Sequence, residues 1–259
     1  MDNSSRVAVI TGASAGIGAA LARRLDADGY SIVLAARREK EMRNVAAQIT
    51  NDTQVVVCDV TRHTDVERLK SEAIQRFSKV DVWVNNAGRG ISRKALDLTD
   101  EDFDEMMRVN VKSALYGMQA IVPHFKERGS GHLINVSSFL SRVPFATYRS
   151  AYSAAKAALN TLTANLRMDL RAEYPGIHVS LVLPGVVATD FGKNALGGTP
   201  QIMRVGAMNA QTAEEVAEAI AAVIREPRAE VYTNPASPDL FRRYYGNVDE
   251  FESNMARRA

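Results

Sequence analysis

The sequence predicts a doubly wound α/β fold: one parallel sheet of about seven strands, flanked by helices on both faces, in a single domain over residues 1–259. Three features carry this prediction. Short apolar runs such as Val7-Ala8-Val9-Ile10 recur along the chain, as strands buried on both faces require. Between them lie segments whose apolar residues return at helical spacing. The first run leads straight into a glycine-rich turn, Thr11-Gly12-Ala13-Ser14-Ala15-Gly16-Ile17-Gly18, and then into a helix marked by Ile17, Leu21 and Leu25 and stopped at Gly29.

Composition narrows the function classes. Hydrophobic residues make up 46% and charged residues 24%, as in ordinary globular proteins. A net charge of +2 from 32 basic and 30 acidic residues is too small to imply nucleic acid or an anionic membrane as partner. No apolar stretch approaches the roughly 20 residues of a membrane helix. The single cysteine, Cys58, excludes an internal disulfide and reads as a buried structural thiol. With no signal peptide ahead of the first strand, a cytoplasmic location is expected. No metal-ligand set is assigned.

The elements follow in order. Strand, glycine turn, helix is the context in which glycines let backbone approach a pyrophosphate, with the N–H groups and positive dipole end of the helix facing the phosphates. Ser31 to Ala36 reads as the second strand and ends in Arg37-Arg38. An acid at that strand end would accept from a ribose 2′-hydroxyl, whereas arginine suits a 2′-phosphate, so the spacing points to NADP. Val55 to Cys58 is the third strand, ending at Asp59, and Thr64-Asp65-Val66-Glu67 reads as a capping box for the next helix. Val80 to Val84 is the fourth strand and runs into Asn85-Asn86-Ala87-Gly88. Thr99 caps a further helix. Asn110, midway along an apolar helical stretch, is either a satisfied core amide or a functional kink. His132 to Val136 is the fifth strand, delivering Ser137-Ser138 to the carboxyl edge where open α/β sheets bind ligands. His178 to Leu183 is the sixth strand, followed by Pro184-Gly185-Val186-Val187-Ala188-Thr189. Residues 190–210 read as a lid over the site. Thr212-Ala213-Glu214-Glu215 caps the last strong helix, to about Arg225; Val231-Tyr232 is a final strand; the charged tail, 237–259, shows no pattern.

Tyr152 and Lys156 stand four apart on a long helical stretch that runs to about Glu173 and therefore share a face. A cation about 4 Å from a phenolate, at an effective dielectric of about 20, interacts by roughly 4 kcal/mol. That is enough to lower a phenol pKa from about 10 by roughly three units, so the pair is read as a proton donor and acceptor for a hydroxyl or carbonyl oxygen.

Together these segments resemble the short-chain dehydrogenase/reductase family, compact single-domain branch, over roughly Val7 to Tyr232. The segments that match are Thr11-Gly12-x-x-x-Gly16-x-Gly18, Asp59, Asn85-Asn86-Ala87-Gly88, Asn110, Ser138, Tyr152-x-x-x-Lys156 and Pro184-Gly185-x-x-x-Thr189. The resemblance implies a Rossmann-type sheet and an NADP-dependent oxidoreductase that interconverts a small ketone or aldehyde and an alcohol. Tyr152 would be the general acid/base, and Ser138 would hold the substrate oxygen. Lys156 would bind the nicotinamide ribose and lower the Tyr152 pKa, while Asn110 would support a proton path. The cofactor would be held by Gly12, Ser14, Ala15, Gly16, Ile17, Gly18, Arg37, Arg38, Asp59, Val60, Asn86, Ala87, Gly88, Pro184, Gly185, Val187 and Thr189, together with Tyr152 and Lys156. Arg89, Leu140, Tyr148, Val186 and Phe191 would face the substrate. The helical stretches Val111–Phe125 and Ala151–Arg171 resemble the family's interface, implying a homodimer or homotetramer. One departure stands out: Ser138 and Tyr152 are fourteen positions apart, one more than the family more often has, so the loop Phe139 to Ala151 carries an extra residue. The alternatives are a β-ketoacyl-thioester reductase, for which Arg89 and Arg93 offer little of a docking patch, and a non-catalytic NADP-binding sensor, which would not need Tyr152 and Lys156.

Overall fold

Seven strands pair in parallel in the order β3-β2-β1-β4-β5-β6-β7. They are β1 (Val7–Thr11), β2 (Ser31–Ala36), β3 (Thr53–Val57), β4 (Val82–Asn85), β5 (Gly131–Val136), β6 (Ile177–Leu183) and β7 (Glu230–Tyr232). This computed structural model describes residues 5–198 and 210–257. The chain winds from β1 outward to β3, then returns to the other side of β1 at β4. That reversal opens a crevice between the carboxyl ends of β1 and β4, the place where open α/β sheets hold ligands.

Side-chain alternation on the strands builds two cores. Ala8 and Ile10 face one way and pack with Leu21 and Leu25 of α1 (Gly16–Ala27), Met42 of α2 (Glu39–Ala46) and Ile220 and Ile224 of α7 (Ala213–Arg225). Val7 and Val9 face the other way, with Trp83, Leu69 of α3 (His63–Phe77), Ile121 and Phe125 of α5 (Ser113–Arg128) and Leu159 of α6 (Ser150–Arg171). Leu21, Leu25, Leu69 and Phe125 are fully buried, each stabilising the fold by about 1.5–3 kcal/mol relative to exposure.

Helix signals held at two places. Thr212 accepts from Glu215 N at 3.1 Å while the Glu215 carboxylate accepts from Thr212 N at 2.7 Å, completing a capping box. Thr99 accepts from Asp102 N and starts α4 (Asp100–Met107). A third signal misled. The box expected at Thr64 does not form, because α3 begins at His63 after Arg62, which makes no side-chain cap. Asp65 instead turns back and accepts from Asp59 N at 3.0 Å, fastening the end of β3 to α3. Cys58 lies just past β3, buried, its thiol pushed up to about 12 by burial foremost.

The tail, patternless in sequence, forms α8 (Ser237–Gly246) and α9 (Val248–Ala256). Phe241, Tyr244 and Phe251 there cluster with Phe139, Val143 and Tyr232, so the tail props the loop that follows β5. Of the expected lid, residues 199–209 lie outside the described residues. Its first part folds back, with Leu196 N donating to Gly90 O at 3.0 Å and Ser92 N donating to Leu196 O at 2.7 Å. No helix among the described residues is long and apolar enough to cross a membrane.

Candidate functional site

The glycine turn is packed against the end of β4 through Thr11 and Asn86. Thr11 Oγ1 accepts from Asn86 N at 3.0 Å and from Ala87 N at 3.2 Å, and Asn86 Nδ2 donates to Thr11 O at 2.9 Å. There is no room for a side chain at Gly12 or Gly18. A Cβ on Gly12, whose φ is +67°, would lie 2.9 Å from Ala87 Cα, and one on Gly18 would lie 2.5 Å from Gly12 O. A Cβ on Gly16 would meet Thr189 Cγ2 at 3.3 Å, which places Thr189 across the turn. Ala15 gives α1 no side-chain cap, so the first N–H groups of the helix are available to an anion.

Arg37 and Arg38 are both exposed at the end of β2. Arg38 reaches the turn, donating to Ser14 Oγ from Nε at 3.2 Å and from Nη2 at 2.9 Å. Asp59 is held by Thr61, whose N and Oγ1 donate to it at 3.0 and 2.8 Å. Burial opposes its charge, but those bonds, with Arg37 and Arg108, keep its carboxyl below the ordinary value. Val60 and Ile17 are half-buried against the two cores.

Four further side chains converge beyond the turn. Tyr152 and Lys156 lie one helical turn apart near the start of α6, both buried. Lys156 Nζ donates to Val136 O at 2.9 Å and stands 5.9 Å from the Tyr152 ring centroid. A Cβ on Gly88 would lie 3.0 Å from Asn110 Oδ1 and 3.5 Å from Lys156 Nζ, so Gly88 sits between them. Asn110 resolves both of its alternatives. It is a satisfied amide, donating to Arg89 O at 2.9 Å and Met106 O at 3.1 Å and accepting from Arg89 N at 3.2 Å. It also occupies a π-helical turn, Arg108–Lys112, that interrupts the helix between α4 and α5. The two serines after β5 separate cleanly. Ser137 Oγ is engaged in the core with Asn160 Oδ1 at 2.6 Å, whereas Ser138 hydrogen-bonds the Tyr152 hydroxyl.

The electrostatics correct one expectation. Lys156 does not draw the Tyr152 pKa down. Burial pushes the phenol up to about 12, with the Ser138 hydrogen bond and the Arg149 charge pulling weakly the other way. Burial also brings the Lys156 ammonium down to about 8. Each group is penalised in its charged form because its neighbours are apolar: Ile91, Met106, Val111 and Ala155 around Tyr152.

Among the residues expected to face the substrate, Phe191 packs edge-on against Tyr152 with ring centroids 5.5 Å apart. Val186 is exposed and Leu140 half-buried at the same edge. Arg89 is drawn aside, donating to Asn194 O at 3.1 Å and pairing with Glu105 at 3.5 Å. Pro184 O accepts from Phe139 N at 2.8 Å, tying the segment after β6 to the Ser138 loop; Gly185 follows it, and Val187 bridges to Gln211. Sequence reasoning missed Arg149, which is buried beside this group; an arginine at a helix start is ordinarily solvated, so nothing in its spacing marked it.

A doubly wound sheet whose carboxyl edge gathers a glycine turn and a tyrosine–lysine–serine–asparagine cluster defines an oxidoreductase of the dinucleotide-fold class. A family model described as short chain dehydrogenase matches residues 6–197. An uncharacterized oxidoreductase of Staphylococcus epidermidis is 37% identical over 194 residues, covering 73% of this chain and 83% of the relative. One of Staphylococcus aureus is 40% identical over 185 residues, covering 71% and 79%. Among solved structures, a short chain dehydrogenase/reductase of Burkholderia phymatum in complex with NAD superposes with a TM-score of 0.84 at 25% identity, covering 96% of each chain. An alcohol dehydrogenase of Thermococcus sibiricus complexed with 5-hydroxy-NADP gives 0.77 at 29%, covering 88% of this chain and 95% of that one. A 3-ketoacyl-(acyl-carrier-protein) reductase of Brucella melitensis complexed with NADH gives 0.79 at 26%, covering 90% and 98%. The chain belongs to the short-chain dehydrogenase/reductase family.

Proposed function

We propose that the protein is an NADP-dependent oxidoreductase that interconverts a small ketone or aldehyde and the corresponding alcohol, with Tyr152 as the group that moves the proton. The observation that carries this reading is the convergence of Tyr152, Ser138 and Lys156 beside the glycine turn. When bound, the nicotinamide cofactor supplies or accepts the hydride. Ser138 Oγ, already bonded to the Tyr152 hydroxyl, orients the substrate oxygen. A phenol held at about 12 keeps its proton at neutral pH, which suits it to protonate a carbonyl oxygen in the reducing direction. Lys156 spends one donor on Val136 O, leaving two for a ribose. Asn110 holds the π turn against Arg89 and so fixes the wall of the pocket.

The turn of Gly12, Gly16 and Gly18 fits a pyrophosphate, and the uncapped start of α1 offers it donors. The choice of NADP rests on Arg37 and Arg38 at the end of β2, where no acid stands to repel a 2′-phosphate. We further infer a homodimer or homotetramer in the cytoplasm. Supporting the assembly, α5 and α6 leave an apolar groove on the surface, lined by Leu115, Met118, Val122, Pro123, Leu162 and Leu166.

The test is consumption of NADPH and NADH with a panel of ketones, aldehydes and ketoacyl thioesters. Turnover of ketones with NADPH well ahead of NADH is expected, and Arg37→Ala and Arg38→Ala should weaken NADPH far more than NADH. A preference for NADH overturns the cofactor assignment. Binding without turnover across the panel favours a sensor, and turnover of thioesters alone favours the ketoacyl-thioester reductase.

A further inference from the structure

Arg149 stands at the start of α6, three residues before Tyr152, and is only 9% exposed. Its guanidinium and Phe191 meet over Gly90, since a Cβ there would lie 2.7 Å from Arg149 Nη1 and 2.9 Å from Phe191 Cε1. Phe191 in turn rests on the Tyr152 ring. The cation therefore lies beside the proton-transfer group, on the Phe191 side of it.

A buried guanidinium needs counter-charge. Among the described residues Arg149 makes one side-chain hydrogen bond, Nη1 to Ile91 O at 2.9 Å, and lies 5.3 Å from the Tyr148 ring centroid. A guanidinium carries five N–H donors. Three acids of the neighbouring segments are already paired: Asp102 with Arg93 at 2.9 Å, Glu105 with Arg89 and Arg108, and Asp190 with Lys193 at 2.6 Å. The sequence from Thr199 to Asn209 contains no Asp or Glu. Among the described residues, a buried, forked cation thus lies beside Phe191 and Tyr152 with no carboxylate paired to it.

We propose that Arg149 anchors an anionic group of the substrate, so that the reacting compound is a carboxylate-bearing ketone or alcohol, a keto acid or hydroxy acid. The planar fork matches a carboxylate in two parallel hydrogen bonds. A carboxylate held there fixes the orientation of the carbonyl relative to Tyr152 and Ser138. The Arg149 charge also favours the phenolate form of Tyr152, an effect that a bound carboxylate offsets, keeping the proton on the phenol for donation. This inference rests on the oxidoreductase reading of the same site.

The experiment compares kcat/KM for acid and methyl ester pairs (pyruvate, acetoacetate and levulinate against their esters) in the wild type, Arg149→Met and Arg149→Lys. Hydrogen bonds to a charged group predict an acid preference of roughly 10- to 100-fold for at least one pair in the wild type. Arg149→Met should abolish that preference, and Arg149→Lys should retain part of it. NADPH titration by fluorescence verifies that each variant is folded. Esters used as well as acids by the wild type, or an acid preference unchanged in Arg149→Met, overturn the anchor and leave the oxidoreductase reading standing. Absence of turnover with every acid, ester and neutral ketone overturns both.

Discussion

At the scale of single residues, Tyr152 and Lys156 are governed by desolvation more than by each other. Tyr152→Phe removes one hydroxyl and almost no volume, so fold and cofactor binding should survive while the chemical step slows by roughly 10²- to 10⁴-fold. Near wild-type turnover of a true substrate by this variant would remove Tyr152 from the mechanism. The lysine gives a stability prediction with a definite sign. Its pKa falls from 10.5 in the unfolded chain to about 8 when folded. Between those values the unfolded state binds the extra proton, so stability should rise with pH across that window, by up to about 3 kcal/mol for a full shift. Urea midpoints of the ligand-free protein between pH 8 and 9 should show the rise, below the pH at which the raised Cys58 thiol opposes it, and Lys156→Met should lack it. A flat wild-type profile would mean that the ammonium is better solvated than its burial implies.

At the scale of elements, the glycine turn and the π turn set the pocket walls. Gly18→Ala pushes a methyl to within 2.5 Å of Gly12 O and 2.7 Å of Asn86 Nδ2. The turn must open, which should cost about 1–3 kcal/mol of stability and weaken NADPH in parallel; thermal melts and a binding titration read both. Ala-tolerant binding would show that the close packing at Asn86 is incidental. Elements also show what was legible in sequence. The central strands were, because a run buried on both faces, as in β1 and β2, has to be apolar along its whole length, whereas the edge strand β3 starts at the polar Thr53 and Gln54. The cap at Thr212 was legible because its partner is three residues away. The cap at Thr64 was not, since the folded chain starts α3 one residue earlier, at His63, which leaves Thr64 inside the helix. Helices α8 and α9 were missed for a related reason. Their apolar residues are few, and they pay off only against Phe139, Val143 and Tyr232, far away in sequence.

At the scale of the whole molecule, α5 and α6 present an apolar groove at the surface of the single chain. If a second copy covers it, light scattering at micromolar concentration should give a dimer or tetramer, and Leu162→Arg should shift the mass toward the monomer by placing a charge in an apolar contact. A monomeric wild type would refute this assembly.

The sequence by itself determined the order of strands and helices along the chain and the glycine turn, and it proposed the pair Tyr152 and Lys156 from a four-residue spacing, with Ser138 and Asn110 added by the family resemblance. The tertiary structure decided what long-range packing controls. It separated Ser138 from Ser137 by giving Ser137 to Asn160, and it bound Arg38 to the turn through Ser14. It also reversed the direction of the Tyr152 pKa and buried Arg149 with no acid paired to it among the described residues. Those outcomes depend on which groups from distant segments share a volume, and on whether water reaches it, and local spacing carries no information about either.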